Sequence, residues 1–420
     1  MSQKAFIFIS HPYHRGGVTT WMVQAAQELV NRRIETFFLV PEPKYNLFTG
    51  GNRPSIISLI KPIKGLKIIS QKVGNEFDLG TESYKIKVYK SLLNQILVED
   101  AIIIPSDDKL VWTACVSGSN HTTFIGVLHS DEEYYYELYS QFKDVVACFV
   151  SVSQRIKRKV EDGSKPVYVI PCGIDLSVFQ YQLLDKKKQI VWIGRLDEYQ
   201  KKISDVIRIA KVLLQRNHSD FKIFVIGHGP MTSWLNQAID EENLSHVVEL
   251  LGWQNQNKIA KILSESKILL QTSIFEGMSV SVMEALAAGC CIVSSKVSGI
   301  EDLAEDPDAM QVIKLYEVGD TNSAAIHLEN FLCDSTSHVE KARTLAEKYF
   351  SIQACMDKYI EISKDLKPKT SQMKPKKIDI RFIVNYVKTR MFYSWILAKL
   401  RIIKFKLKKL KNVWHCSLYK

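Results

Sequence analysis

Two separate runs of short apolar segments, each closed by polar residues and followed by a stretch of helical length, limit what this chain can fold into. The first run opens with Ala5 to Ile9, a loop His11-Pro12-Tyr13-His14-Arg15-Gly16-Gly17, a helix from Val18 to about Arg32, and Ile34 to Val40. After a poorly periodic stretch rich in Gly, Pro and Lys (41–80), it resumes with Ala101 to Ile104, Thr123 to Leu128 and Val145 to Val152. The second run comprises Gln189 to Ile193, Phe221 to Ile226, Val247 to Leu251, Ile268 to Thr272 and Cys290 to Ser294. Strands alternating with helices predict a parallel sheet covered on both faces, and two such runs predict two doubly wound, Rossmann-like α/β domains. A chain of 420 residues has room for both, because single cores stop growing near roughly 250–300 residues.

The alternation breaks between about Pro171 and Lys188, at Gly173 and the charged run Asp185-Lys186-Lys187-Lys188. The predicted organisation is an N-terminal domain over 1–170, a hinge over 171–188, a C-terminal domain over 189–350, a closing helix over 351–366 and a tail over 367–420. Helices are predicted from about Ser323 to Cys333, Ser337 to Glu347 and Ile352 to Lys364. Open parallel sheets bind ligands at the carboxyl ends of their strands, so two of them facing one another predict a deep cleft lined by those ends.

The residues that could carry chemistry follow strand ends. In Ser273-Ile274-Phe275-Glu276-Gly277-Met278-Ser279-Val280-Ser281-Val282-Met283-Glu284, Glu276 follows one strand and Glu284 falls about two turns into the next helix. Gly277 to Ser281 is read as the helix N-terminus, whose free N–H groups and dipole attract phosphate. An isolated pair of this kind reads as a helix entry and a solvated face. Small residues Ala285, Ala287, Ala288 and Gly289, which let backbones approach closely, favour the functional reading here. After Gln189 to Ile193 come Gly194 and Arg195, then Lys201 and Lys202. Arginine offers a fork for phosphate oxygens and lysine a point charge, and two fixed cations could stabilise a departing diphosphate as a metal would. Gly227-His228-Gly229-Pro230 would let a base or phosphate approach closely, although a plain turn explains it equally well. Gly16 and Gly17 open a helix and could offer N–H groups to phosphates, or form a simple glycine turn. Ser106-Asp107-Asp108 reads as a helix cap rather than a metal site.

Taken in order, Gly16-Gly17, His129, Val169-Ile170-Pro171-Cys172-Gly173-Ile174-Asp175, Gly194-Arg195-Leu196, Gly227-His228-Gly229-Pro230 and Phe275-Glu276-Gly277 through Glu284 to Gly289 resemble the family 4 retaining glycosyltransferases of GT-B architecture. The resemblance runs from roughly Phe6 to Lys364. It implies that Glu284 binds the donor ribose, and that Glu276 and the amides of Gly277, Met278, Ser279 and Val280 hold the donor sugar. Arg195 and Lys201 would grip the diphosphate, with Lys202 a rival because the spacing is one residue longer than in many relatives. His129 would lie near the anomeric centre and Gly16 and Gly17 near the phosphates, with Gly194, Gly227 and Gly229 also lining the donor. Met278-Ser279 and Cys172 depart from the family's pattern at positions that bear on donor identity.

The implied activity is transfer of a hexose from a nucleotide-diphosphate sugar to a saccharide or lipid-linked acceptor, with retention, no metal and no cofactor beyond the donor itself. Front-face attack, with the leaving diphosphate taking the acceptor's proton, is the implied course. Domain closure would expel water from the cleft. Cell-surface polysaccharide, lipopolysaccharide or glycolipid synthesis is the implied setting. A nucleotide-sugar epimerase of the same fold and a non-catalytic nucleotide-sugar or membrane-binding scaffold remain open alternatives.

Charge separates the chain into two parts. Residues 367–420 hold 16 Lys or Arg against the single acid Asp379, a net +15 of the chain's +11, which leaves −4 for residues 1–366. Lys367 to Lys377 has the composition of a tether. Beyond it, Ile396, Leu400, Ile403, Leu407, Leu410 and Trp414 are spaced to line one face of a basic amphipathic helix. Such a segment suits an anionic membrane surface, here over residues 378–414, although packing on protein is the competing reading. No nucleic-acid motif accompanies it. The sequence shows no export signal, no apolar run of the roughly 20 residues a spanning helix needs, and eight cysteines without metal-ligand spacing. These predict a cytoplasmic protein, peripheral on the inner face of the cell membrane.

Overall fold

The computed structural model describes residues 4–13, 16–43, 55–74, 77, 80–98, 100–118, 122–181, 186–334 and 338–367. The basic tail, Arg15 and Cys416 lie outside the described residues. The chain forms two compact units. The first contains Met1–Leu176, Gly277–Val280 and a C-terminal stretch beginning at Ala346, and the second contains Ser177–Glu276 and Ser281–Leu345.

In the first unit the strands are β1 (Phe6–Ile9), β2 (Thr36–Pro43), β3 (Lys67–Val73), β4 (Ala101–Pro105), β5 (Thr122–Leu128), β6 (Cys148–Ser151) and β7 (Val167–Val169). They lie in the order β3-β2-β1-β4-β5-β6-β7, and each neighbouring pair is parallel. Central parallel strands are covered on both faces and therefore read as unbroken apolar runs. Phe6 to Ile9 and Ala101 to Pro105 are buried at every position, and each fully buried Ile or Phe contributes about 2 kcal/mol.

The second unit holds β8 (Lys187–Ile193), β9 (Lys222–Ile226), β10 (Val248–Gly252), β11 (Ser266–Gln271), β12 (Cys291–Ser295) and β13 (Ile313–Tyr316). Their order, β10-β9-β8-β11-β12-β13, is the doubly wound pattern in which the chain reverses between its first and fourth strands. The crevice of such a sheet therefore opens between the loops that leave β8 and β11. Its core packs Trp192, Val225, Leu270 and Val293 of the sheet against Val206, Ile209 and Leu328 of the helices.

Both doubly wound sheets expected from the sequence are present, and three strands were not anticipated: β3, β7 and β13. All three are edge strands. β3 alternates between exposed and half-buried positions, and β7 has only three residues. Without a neighbour on one side, neither carries the continuous apolar run that marks a central strand.

The helix Ile352–Asp365 returns to the first unit and packs on the helix Gly17–Asn31. The Trp21 and Tyr359 rings lie 5.7 Å apart. Arg32 donates to Glu28 at 2.6 Å, to the Gln353 carbonyl at 2.8 Å and to Asp357. Ile174 and Ile352 fasten the start of this return, through Ile174 N to Phe350 O at 2.8 Å and Ile352 N to Ile174 O at 3.0 Å. Among the described residues no helix is long and apolar enough to cross a membrane.

Candidate active site

The loop after β8 carries Gly194, Arg195, Asp197 and Lys201, and the loop after β11 carries Ser273 and Glu276. These are the two loops that flank the chain reversal of the second sheet, where a doubly wound fold binds its ligand. Lys201 Nζ lies 2.5 Å from Glu276 Oε1, and Ser273 Oγ donates to the same oxygen at 2.6 Å. Lys201 and Glu276 are thus brought together across the strand ends. Lys202 points elsewhere, to Asp205 Oδ2 at 3.0 Å, from a backbone with a positive φ of 46°. Of the two rival lysines, Lys201 shares the loop pair with Glu276 and Lys202 braces the following helix.

Arg195 donates through Nε to Asp197 Oδ2 at 2.6 Å while its side chain stays 43% exposed. The other oxygen of Asp197 accepts from the backbone N–H groups of Gln200 at 2.8 Å and Lys201 at 3.1 Å. Burial pushes the Asp197 carboxyl up, but Arg195 and these two N–H groups outweigh it and hold the carboxyl below the usual range. The Lys201 carbonyl in turn accepts from Thr272 Oγ1 at 2.7 Å, and Thr272 Oγ1 accepts from Trp192 Nε1 at 2.9 Å. Sequence reasoning did not single out Asp197, Thr272 or Ser273. Their proximity to Arg195 and Glu276 along the chain was the available signal, but side-chain direction is what gives it meaning.

The helix after Glu276 begins at Val280, later than expected, so Glu284 lies about one turn inside it rather than two. Gly277 is not part of that helix. It forms an antiparallel bridge with Ser130, and a Cβ placed on it would stand 1.9 Å from the His129 carbonyl oxygen. Gly277, Met278, Ser279 and Val280 cluster with the first unit. Glu284 is buried, and burial pushes its carboxyl up to about 8. Gly194, Gly227 and Gly229 bring their loops into backbone contact, with Gly194 N donating to Ile226 O at 3.0 Å and Leu196 N to His228 O at 3.2 Å. A Cβ at Gly229 would lie 2.4 Å from the Leu196 carbonyl oxygen.

In the first unit, Gly16 caps the helix Gly17–Asn31 with φ 115°, and a Cβ on Gly17 would meet the Val280 side chain at 2.9 Å. His129 follows β5. Its ring lies 5.4 Å from Trp21 and 6.4 Å from Tyr135, with Nδ1 4.0 Å from Cys172 Sγ. Nε2 is buried without a hydrogen-bond partner among the described residues. Burial lowers its pKa to about 3, so the imidazole is neutral at ordinary pH and Nε2 can either accept or donate one hydrogen bond, depending on the tautomer. Asp108 Oδ1 accepts from Leu110 N at 2.9 Å, at the start of the helix Lys109–Gly118.

Residues 174–348 match the family described as Glycosyl transferases group 1. Over this stretch the chain is similar to the group 1 glycosyltransferases. It is similar to an uncharacterized glycosyltransferase of Methanocaldococcus jannaschii, 27% identical over 207 residues that cover 44% of this chain and 52% of that protein. It is also similar to the amylovoran biosynthesis glycosyltransferase AmsK of Erwinia amylovora, 32% identical over 151 residues, 34% of this chain and 37% of that one. The chain thus spans about half or less of the length of these curated relatives. Among solved structures, a point mutant of S. aureus TarM in complex with Fondaparinux, alpha-GlcNAc-glycerol and UDP gives a TM-score of 0.69 at 13% identity, over 86% of this chain and 99% of that one. At that identity the likeness is one of fold, and the fold is that of the two-domain GT-B class.

Proposed function

We propose that this chain is a group 1 glycosyltransferase that transfers a hexose, with retention and without a metal, from a nucleoside-diphosphate sugar to a saccharide or lipid-linked acceptor. The observation that carries the reading is the placement of Arg195, Lys201 and Glu276 on the two loops that flank the chain reversal of the second sheet. The two cations would bind the diphosphate and stabilise the charge that builds on it as it departs. Glu276 Oε1 is already engaged by Lys201 and Ser273, which suits a residue that orients a sugar hydroxyl through Oε2 rather than one that attacks carbon. The acceptor oxygen forms its bond to the anomeric carbon on the face the diphosphate leaves. The bond to the phosphate oxygen breaks, and that oxygen takes the acceptor's proton. Glu284 would bind the ribose, and His129 would accept from or donate to a hydroxyl of the transferred sugar. TarM holds UDP in its solved complex and AmsK is named for amylovoran biosynthesis, so UDP-sugars come first as donors, with a cell-surface polysaccharide or glycolipid as the proposed acceptor.

Binding and hydrolysis of UDP-, GDP- and ADP-sugars, measured with EDTA present, tests this reading. One donor should be used saturably, with affinity reduced roughly 10- to 100-fold by Arg195→Ala and by Glu284→Ala, the loss expected for a charged hydrogen bond. No use of any donor, or indifference to both substitutions, would overturn it.

The cationic stretch 378–414 is proposed to hold the enzyme on an anionic membrane surface, where each basic residue contributes about 1 kcal/mol. Pelleting with phosphatidylserine vesicles should fall sharply when residues 367–420 are removed and when salt is raised. Equal pelleting of the full and shortened chains would rule out this role.

A further inference from the structure

Arg195 is held by one atom only. Its Nε is committed to Asp197, and the two terminal nitrogens of the fork have no partner among the described residues. Asp197 has no exposed surface, and it divides its carboxylate between two tasks. Oδ2 fixes the Arg195 guanidinium at 2.6 Å, and Oδ1 collects the N–H groups of Gln200 and Lys201 at 2.8 and 3.1 Å. Its own carbonyl accepts from Ile203 N at 3.2 Å, which closes the loop on itself. One buried anion therefore sets the direction of one cation's side chain and the backbone position of the other. A carboxylate placed only to stabilise a turn would have no need of the arginine, because the two N–H groups already satisfy one oxygen and a neutral acceptor could serve them.

We infer that Asp197 is a positioning residue for anion binding, one that aims the free edge of the Arg195 fork and seats Lys201 beside Glu276 before a diphosphate arrives. This rests on the reading above that Arg195 and Lys201 hold the donor diphosphate. Preorganisation of this kind removes the cost of ordering two long side chains at the moment of binding. It also predicts that Asp197 matters to binding only through its partners.

The test uses the full chain with Asp197→Asn, Arg195→Ala and the double variant, each checked for an intact melting transition. Asparagine keeps a carbonyl for the Gln200 and Lys201 N–H groups but removes the charge that holds Arg195. The first readout needs no nucleotide: the Arg195 Nε–H signal in a nitrogen-15 spectrum, assigned by its loss in Arg195→Ala, should move on Asp197→Asn. The second is affinity for UDP, GDP and ADP by calorimetry. Asp197→Asn should weaken the bound nucleotide by about 10-fold in the natural background and by less than about 2-fold where Arg195 is already alanine, since residues acting through one contact are not additive. An unmoved Nε–H signal, or the same fold-loss in both backgrounds, overturns the inference. If no nucleotide binds the natural chain, the functional reading fails while the spectrum still decides whether Asp197 aims the arginine. Should Asp197→Asn not fold, Asp197→Glu shifts the charge by one methylene and carries the same comparison.

Discussion

Gly227→Ala is expected to lower the melting temperature of the second unit by roughly 10 °C, the shift that about 4 kcal/mol produces in a unit of this size. Gly227 leaves β9 with φ 145°, a region that side chains other than glycine rarely enter. A Cβ there would stand 1.8 Å from the Gly194 carbonyl oxygen, which is backbone and has no rotamer by which to retreat. Relief would require β8 and β9 to separate at the ends where Gly194 N donates to Ile226 O and Gly227 N to Gly252 O, so the cost falls on three strands at once. Scanning calorimetry, which resolves the melting of separate units, measures the shift. A change under about 2 °C would mean that the loop backs away for less than 1 kcal/mol.

Glu284→Gln is expected to stabilise the protein at alkaline pH. Burial raises the folded-state carboxyl from 4.5 to about 8. Between those values the unfolded chain releases a proton that the folded chain retains, so stability falls as pH rises across the window and levels off above it. Below about 4.5 both states hold the proton and the residue contributes no pH dependence. Glutamine has no proton to lose and so removes this loss. The two proteins should melt alike near pH 4.5 and diverge steadily, with the variant ahead by on the order of 5 kcal/mol near pH 9. Parallel melting curves across the range would place the carboxyl in its ordinary titration range. Such a cost in the empty protein suits the ribose-binding role proposed for Glu284, whose carboxyl oxygens could accept from ribose hydroxyls.

What the sequence made legible follows the physics of burial. β1, β4 and β12 lie inside their sheets, and their unbroken apolar runs identify them without ambiguity. β3 has Lys67, Ser70 and Lys72 at its open positions, and nothing in that pattern marks a strand except the neighbour it pairs with. The site divides in the same way. Glycines with extreme backbone demands and carboxylates just past strand ends leave local traces, so Gly227, Glu276 and Glu284 could be found by reading along the chain. Gly277 could not be separated from the helix that follows, because its bridge to Ser130 joins positions far apart in sequence. Lys201 and Lys202 are adjacent and chemically identical, yet they reach different acids, Glu276 and Asp205, and nothing in the sequence tells them apart. Asp197 stands two residues from Arg195, but sequence cannot say that its carboxylate turns back toward the guanidinium.

The helix Ile352–Asp365 has a further meaning when the chain is followed in the order in which it is made. The first unit is the first to leave the ribosome, yet the wall that covers Trp21 and answers Arg32 is supplied by residues beyond Ile352. Every strand of the second unit is synthesised before that wall exists. Domains generally close in the order of their synthesis, and here the order is inverted: the unit begun first is finished last. A break anywhere between Leu345 and Asp365 would therefore damage the far end of the sequence, leaving the first unit uncovered while the second unit kept its own core.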